Sequence, residues 1–198
     1  MHDALVFIVR FLLFVALHSL LAMPAAKRAV CRDDSREAPW YRLTYNLIST
    51  IVLIWAVSAW RSSPVLYFVP GVASLIMYAL QAVVGLALCI CLYQTGFGSF
   101  SGLDQVRGIQ QPEQLQVTGF YGVVRHPLYL LTTVFMLINP VMSAQWLTLT
   151  LLSVCYFIAG AVIEERRLVR LFGSEYERYQ QQVPFFLPRL QRFRQPSE

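Results

Sequence analysis

The run GVASLIMYALQAVVGLALCICLY, residues Gly71–Tyr93, contains 23 residues and no charged side chain. A membrane-spanning helix needs about 20 apolar residues at a rise of about 1.5 Å each. This run is therefore long enough to cross a bilayer as one helix. Together with four further apolar segments, it predicts an all-α integral membrane protein with about five transmembrane helices. The other segments are Ala4–Met23, Trp40–Trp60, Pro127–Met142 and Ala144–Ile163.

The composition of the whole chain agrees with this prediction. Of its 198 residues, 57% are hydrophobic and 14% are charged, and the mean hydropathy is +0.52. A soluble domain has about 45–50% apolar and about 25% charged residues, so an ordinary soluble domain and a disordered chain are both excluded. The net charge is +5, but the basic residues lie in short segments between apolar ones. This distribution indicates membrane orientation and not nucleic-acid binding.

The basic residues also predict the orientation in the membrane. The first apolar segment is longer than a signal-peptide core and no basic region precedes it, so we expect a retained helix. If residues 24–39 are cytoplasmic, then residues 94–126 and the tail after Ile163 are cytoplasmic too. Of the sixteen Lys and Arg residues, thirteen then lie on that side, and Arg42 lies next to it in the first turn of the second span. Only Arg10 and Arg61 lie away from that side. We predict a protein of the bacterial inner membrane with its N-terminus outside. The role of Arg10 stays open.

The tail after the fifth segment has the pattern of a folded cap. Residues 164–182 are expected to be helical, with a break or bend at Gly173. Pro184 and Pro188 are expected to end helical structure. We expect a cytoplasmic helical cap over the ends of the spans. The apolar and aromatic side chains spaced for one helix face are Leu168, Leu171, Phe172, Tyr176 and Tyr179.

The four cysteines do not form a metal-binding or disulfide pattern. Cys89, Cys91 and Cys155 lie in apolar runs, and the spacing Cys89-x-Cys91 is not a zinc spacing. We expect free, buried thiols that act as small hydrophobic residues, and no metal site.

The run TGFYGVVRHPLY, which ends at Tyr129, carries the first group of candidate functional residues. Pro127 suits the first turn of a helix, where its missing N–H costs nothing. Arg125 and His126 would then lie at the positive end of that helix, where a carboxylate can bind. The rings of Tyr121 and Tyr129 are suited to stacking on an adenine or a sulfonium. The alternative is a basic and aromatic membrane anchor.

Ionisable residues at or inside the membrane form the second group. Glu164 and Glu165 follow the fifth apolar segment, where unpaired carboxylates are costly. They predict either binding of the ammonium or ribose hydroxyls of a cofactor, or a salt bridge to Arg125 or Arg167, or a solvated face. His18 lies inside the first span and is a candidate to orient a substrate or to accept a proton. The alternative for His18 is a neutral side chain hydrogen-bonded between helices.

The order and spacing of five motifs resemble those of the isoprenylcysteine carboxyl methyltransferase superfamily, from about Gln114 to Arg189. The motifs are Arg125–Tyr129 (RHPLY), Glu164-Glu165, Phe172–Tyr179 (FGSEYERY), Val183-Pro184 and Leu187-Pro188. A weaker similarity is found upstream, in His18–Ala22 and Gly102–Val106. These upstream residues are similar to the membrane methanethiol S-methyltransferase branch and the denitrification-associated membrane branch of that superfamily.

This resemblance implies a membrane enzyme that transfers a methyl group from S-adenosylmethionine to a small or lipophilic acceptor. It also implies a single domain in which residues 1–93 are a three-helix part and residues 94–198 hold the cofactor-binding core and the cap. Carried over by position, the cofactor-binding residues are Gln114, Leu115, Gln116, Val117, Tyr121, His126, Pro127, Leu128, Tyr129 and Glu164. The first four would act mainly through their backbone.

Two positions depart from the pattern of the superfamily. Leu131 replaces a residue that is often Gly, which puts local helix packing in question. Gly160 stands where isoprenylcysteine enzymes have an Arg that meets the substrate carboxylate. The resemblance therefore implies a thiol acceptor, with His18 as the candidate base, in preference to a prenylcysteine carboxylate.

Two other classes of protein remain open at this point. Sterol-type membrane reductases that use NADPH share an Arg-His-Pro-x-Tyr motif, but they differ from this chain at Leu128, Leu131 and Thr132. The other class is a non-catalytic membrane partner that has retained the fold.

Overall fold

The structure is a computed structural model, which describes residues 2–30, 39–109 and 114–188. Helices dominate it, and the predicted all-α fold is confirmed. The elements are α1 (His2–Ala22), α2 (Pro24–Val30), α3 (Tyr41–Val57), β1 (Val65–Phe68), α4 (Val72–Gln94), α5 (Phe97–Ser101), α6 (Leu103–Val106), α7 (Pro127–Leu137), β2 (Val141–Ser143), α8 (Ala144–Phe172) and α9 (Ser174–Gln182).

Within the residues that the structure describes, three helices are long and apolar enough to cross a membrane, so the chain is a membrane protein. They are α1, α4 and α8, with 21, 23 and 29 residues. The other two predicted spans are shorter helices, because α3 ends at Val57 and α7 ends at Leu137. Pro140 explains the early end of α7, since a proline disfavours helical conformation in the residue before it.

The chain divides into two compact units, and the first consists of Met1–Pro64 with Gly96–Pro112. Within it, α1 packs along α3. One face of α1 carries an aromatic row in which Phe7, Phe11, Phe14 and His18 follow each other at about one helical turn. This row makes up the described core of α1.

Arg10, whose role the sequence leaves open, contacts Trp55 inside the first unit. Its guanidinium lies 4.4 Å from the centre of the Trp55 ring and donates a hydrogen bond of 3.2 Å to the Trp55 carbonyl oxygen. A cation over an indole face is stabilised by the ring quadrupole. Arg10 therefore has a structural partner on α3.

The second unit consists of Val65–Thr95 with Glu113–Glu198. Within it, α4 packs against α7, and α7 packs against α8. Strands β1 and β2 pair antiparallel, with Val65 opposite Ser143. This pairing was not predicted. Residues 138–143 connect α7 to α8, and Ser143, a residue type that suits a helix start, caps α8: its Oγ accepts a hydrogen bond of 3.1 Å from the backbone N–H of Trp146.

The predicted break at Gly173 is confirmed. Gly173 has φ +55°, where residues with a side chain are disfavoured, and it separates α8 from α9. Leu171 is exposed and does not share the predicted apolar face. On α8 the cap packs against Leu168, Val169 and Phe172, and Leu171 lies about 100° around the helix from Phe172, so it points away from that face. Buried Tyr176, Tyr179 and Val183 form the centre of the cap, and Leu115, Leu168, Val169 and Phe172 pack against them.

The cysteines in the described part of the chain are free thiols, as expected, but only Cys91 is buried. Cys89 and Cys155 lie on exposed helix faces, so their predicted burial is wrong. An apolar run in a membrane helix does not reveal which side packs on protein and which side faces lipid. Cys31 lies outside the described residues.

Candidate functional site

The start of α7 places the RHPLY motif between α8 and the cap. Pro127 is buried in the first turn, as predicted, and His126 occupies the N-cap position. The imidazole of His126 is stacked on Tyr129, with ring centres 5.7 Å apart and planes 15° apart. The edge-on ring of Phe185 approaches it to 4.9 Å. The ring of His126 is therefore held in one orientation by aromatic neighbours.

Arg125 is fully engaged in holding the cap to the start of α7. Its Nε donates to Glu165 Oε1 at 2.6 Å, in an ion pair whose side chains are only 11% and 13% exposed. Its Nη1 donates to the carbonyl oxygens of Gln180 (2.8 Å) and Val183 (2.7 Å). The backbone N–H of Arg125 donates to the carbonyl of Pro184 at 2.9 Å. The predicted alternative of a salt bridge to Arg125 is thus confirmed for Glu165.

Glu165 also contacts His126, a role that sequence reasoning missed. Glu165 Oε1 lies 3.2 Å from His126 Nε2, and Glu165 Oε2 accepts a hydrogen bond of 2.8 Å from the side-chain amide of Gln180. Burial lowers the pKa of His126, although the carboxylates of Glu164 and Glu165 act in the opposite direction. A neutral imidazole is therefore the dominant form at neutral pH.

Glu164, unlike Glu165, is accessible. Its side chain is 49% exposed, and its Oε2 lies 3.8 Å from His126 Nδ1 and 3.4 Å from the hydroxyl of Tyr129. The ring of Tyr129 stacks on Phe157 with centres 5.0 Å apart. A side chain at Gly160, one turn before Glu164, would have its Cβ 3.9 Å from the Tyr129 hydroxyl. An accessible carboxylate thus lies beside two stacked rings and a helix position without a side chain.

Tyr121 lies in a 3₁₀ turn that begins at Gly119 and packs on the end of α4. Gly119 has φ +64°, and a Cβ there would overlap the side-chain amide of Gln94. The hydroxyl of Tyr121 lies 3.1 Å from Thr95 Oγ1, and its carbonyl accepts 2.6 Å from the hydroxyl of Tyr179. Burial raises the pKa of Tyr121 to about 12, so this phenol stays protonated at neutral pH.

The segment 114–117 has a mixed environment. Leu115 packs into the cap, and Gln116 donates 3.1 Å to Thr118 Oγ1. Gln114 and Val117 are exposed, and Leu128 is half-buried. The structure therefore brings together Tyr121, His126, Tyr129 and Glu164, while the cofactor contacts of residues 114–117 and Leu128 stay predictions.

His18 lies in the first unit with two polar neighbours. Its Nδ1 is 3.0 Å from Ser49 Oγ, and its Nε2 is 3.3 Å from the hydroxyl of Tyr45. These contacts fit the alternative of a histidine hydrogen-bonded between helices. Its role toward a substrate stays a prediction.

Comparisons with known proteins give relatives that cover most of the chain. It is 28% identical to methanethiol S-methyltransferase 2 of Bradyrhizobium diazoefficiens, over 90% of this chain and 70% of the relative. It is 28% identical to methanethiol S-methyltransferase of Pseudomonas deceptionensis, over 91% and 71%. It is 31% identical to methanethiol S-methyltransferase of a Pseudomonas species, over 89% and 70%. No family model and no solved structure matches the chain.

These relatives and the apolar helices define the chain as a membrane methyltransferase. It belongs to the isoprenylcysteine carboxyl methyltransferase-like family, which includes these relatives. The predicted class of enzyme is confirmed, and a methyl donor and a methyl-accepting substrate are implied. The reductase and the non-catalytic partner, which the sequence had left open, are not supported by these names.

Proposed function

We propose that this membrane methyltransferase uses S-adenosylmethionine to methylate a small thiol. The observation that carries the proposal is the accessible carboxylate of Glu164 beside the stacked rings of Tyr129 and Phe157. The names of the relatives support methanethiol as the first thiol to test.

The described residues fit S-adenosylmethionine by the chemistry of their side chains. Glu164 offers a carboxylate to the ammonium or hydroxyl groups of the cofactor, and Tyr121 offers a ring face to its adenine or sulfonium. Tyr129, whose ring is already stacked with His126 and Phe157, offers its hydroxyl and its ring edge. Gln114, Leu115, Gln116, Val117, His126, Pro127 and Leu128 complete the proposed binding set. When bound, this cofactor supplies an activated methyl carbon, and transfer to a thiol yields a thioether, S-adenosylhomocysteine and one proton.

The residues around Glu164 contribute mainly by positioning and by excluding water. The stacked pair of Tyr129 and Phe157 gives a rigid apolar wall, which favours an acceptor that enters uncharged. The hydroxyl of Tyr121 stays protonated and cannot act as the base. The thiol proton therefore leaves to another acceptor, and His18 is our candidate for that role.

The engagement of Arg125 favours a thiol over a carboxylate acceptor. Glu165 and two backbone carbonyl groups already bind the Arg125 guanidinium, so this side chain does not serve as a countercharge at Gly160. An ionised carboxylate beside Gly160 would lie near Glu164 without a countercharge, which is costly. A neutral thiol avoids this cost.

The direct test is methyl transfer by the purified protein in lipid nanodiscs. We expect label to pass from methyl-labelled S-adenosylmethionine to methanethiol, giving dimethyl sulfide. Prenylcysteine analogues and other thiols are run in parallel. Methylation of a farnesylcysteine analogue without activity on any thiol would refute the proposed acceptor, and no methyl transfer to any acceptor would refute the enzyme assignment.

The Gly160→Ala variant should impair use of the acceptor without impairing cofactor binding. The added methyl group meets only the Tyr129 hydroxyl, at an ordinary contact distance of 3.9 Å, so the helix is not strained. It fills the space that we assign to the thiol. We expect KM for methanethiol to rise about tenfold, measured by initial rates, while the Kd for S-adenosylhomocysteine changes less than twofold.

Gly85→Ala is the matched control for this variant. Gly85 lies in α4, and a Cβ there would be 3.8 Å from a ring carbon of Phe135. Phe135 is on α7, the helix that also carries Tyr129. Both variants place one methyl group against an aromatic side chain of α7, but Gly85 is not part of the proposed site. Equal effects of the two substitutions on KM would contradict the assignment of Gly160 to the acceptor.

His18→Ala should lower turnover while cofactor affinity is kept, because a base acts on the acceptor and not on the cofactor. Ser49→Ala is the control, since it removes the hydrogen-bond partner of Nδ1 but leaves the imidazole in place. Turnover numbers and Kd values are measured for both. The same loss of turnover in the two variants would assign His18 a structural role.

The proposed location is the inner membrane, with the N-terminus outside and the cap in the cytoplasm, because the basic residues would then share the cytoplasmic side. Cysteines introduced singly at Ser35, Ser101 and Ser197 should be labelled by impermeant reagents only after the cytoplasm is opened. Labelling of any of them from the periplasm would reverse or change this topology.

A further inference from the structure

The two glutamates in sequence have different relations to the ring of His126, and this difference fixes the proton on the ring. We infer that Glu165 is a positioning residue that holds the His126 proton on Nε2, so that Nδ1 and Glu164 together accept a ligand nitrogen bearing at least two hydrogens. The identity of that ligand rests on the proposed function.

The first step concerns Glu165. Its carboxylate accepts 2.6 Å from Arg125 Nε and 2.8 Å from the amide of Gln180, so it is ionised. An ionised carboxylate has acceptors only. Its 3.2 Å contact with His126 Nε2 therefore requires the hydrogen to be on Nε2. In the neutral ring, Nδ1 then carries the lone pair.

The second step concerns the charge of the ring. The His126 side chain is only 4% exposed and packs against Tyr129 and Phe185. The charged groups beside it are Arg125, Glu164 and Glu165. Burial, aided by Arg125, outweighs the two carboxylates and lowers the pKa of His126, so the ring is neutral at pH 7.

The third step concerns the surroundings of Nδ1. The side chain of His126 makes no cap hydrogen bond to the first turn of α7, although it occupies the N-cap. Within residues 114–188, the polar atom that faces His126 Nδ1 is Glu164 Oε2, and the two atoms are 3.8 Å apart. Both atoms are acceptors, and the distance is too long for a hydrogen bond. Two facing acceptors are stabilised when a donor lies between them.

The separation of the two acceptors selects the donor. An atom can lie about 2.9 Å from each of two acceptors that are this far apart, which is a normal hydrogen-bond length. It must supply one hydrogen to Nδ1 and another to Glu164. Among the groups of a ligand, an ammonium or an amino group fits and a hydroxyl or thiol does not, because each of these has one hydrogen; a water molecule is the competing donor. S-adenosylmethionine has two such nitrogens, the α-ammonium and the adenine amino group.

The first experiment measures the tautomer without any ligand. Protein with ¹⁵N-labelled histidine rings is studied by long-range proton–nitrogen NMR in micelles at pH 7, and His126→Gln assigns the signals among the three histidines. We expect the Nε2–H form in the wild type and in Glu164→Gln, and a population of the Nδ1–H form in Glu165→Gln. An Nδ1–H or doubly protonated ring in the wild type overturns the inference, whether or not the Glu165 variant folds.

The second experiment measures the ligand nitrogen. Glu164→Gln should lower affinity for S-adenosylhomocysteine about tenfold. 5′-Methylthioadenosine lacks the ammonium and S-inosylhomocysteine lacks the purine amino group. The analogue that lacks the bridging nitrogen should bind wild type and Glu164→Gln alike. If both analogues retain the full effect of Glu164→Gln, a water molecule bridges the acceptors and the inference is wrong. Failure of S-adenosylhomocysteine to bind refutes the proposed cofactor, and the NMR result still decides the role of Glu165.

Discussion

Replacement of Arg125 by methionine should destabilise the protein by about 3–5 kcal/mol, because it leaves the carboxylate of Glu165 buried without a countercharge. It also removes the donors to the carbonyl groups of Gln180 and Val183. We expect the loss to concentrate in the cap. Hydrogen exchange of α9 and thermal unfolding in detergent micelles measure the local and the global effect.

The double variant Arg125→Met/Glu165→Met separates the ion pair from the volume of the side chains. A buried pair replaced by apolar residues of similar size often costs little, so the double variant should be more stable than the single one. Arg170→Met is the surface control, since Arg170 is exposed and, among the described residues, donates to the Arg166 carbonyl; it should change stability by less than about 0.5 kcal/mol. A single Arg125 variant that is as stable as this control would contradict the proposed anchoring of the cap.

Truncation of Glu164 or His126 should weaken cofactor binding by about 1–3 kcal/mol each, since each variant removes a polar partner that we assign to the cofactor. This corresponds to a rise in Kd of about 5-fold to 150-fold. Calorimetric titration of Glu164→Ala and His126→Ala with S-adenosylhomocysteine measures it. Glu177→Ala, on the exposed face of α9, is the matched control. Unchanged affinity in both variants, with the wild-type melting profile, would defeat the assignment.

The sequence predicts the five apolar helices of this fold because each depends on local signals. Apolar runs of about 16 to 23 residues predict these helices, and Ser143 and Gly173 mark a helix start and a helix end where the structure has them. The short helices α2, α5 and α6 were not predicted. The pairing of β1 with β2 was not predicted, because its strands have four and three residues and lie far apart in sequence. Such short strands have little periodicity of their own.

The residues of the candidate site could be identified from the sequence, but the contacts between them could not. The start of α7, the two tyrosines and the glutamate pair all stand out in the sequence. Which glutamate is buried depends on Arg125, 40 residues before Glu165, and on Gln180, 15 residues after it. Helical phase separates adjacent residues by about 100°, so Glu164 and Glu165 must face different surroundings. Which of the two faces is buried depends on how α7, α8 and α9 pack together, and the sequence does not give that packing.

The length of α8 gives the lipid a direct influence on Glu164. The stretch Ala144–Ile163 has 20 residues without a charge, which corresponds to about 30 Å of helix, close to the hydrocarbon thickness of a typical bilayer. Glu164 is the first ionisable group beyond that stretch. A thicker membrane draws this carboxylate toward hydrocarbon, and a thinner one leaves apolar turns in the headgroup layer, unless the helix tilts. Hydrophobic mismatch therefore acts on the same residue that we expect to hold the cofactor. The acyl-chain length of the lipid should accordingly change the affinity of the enzyme for its cofactor.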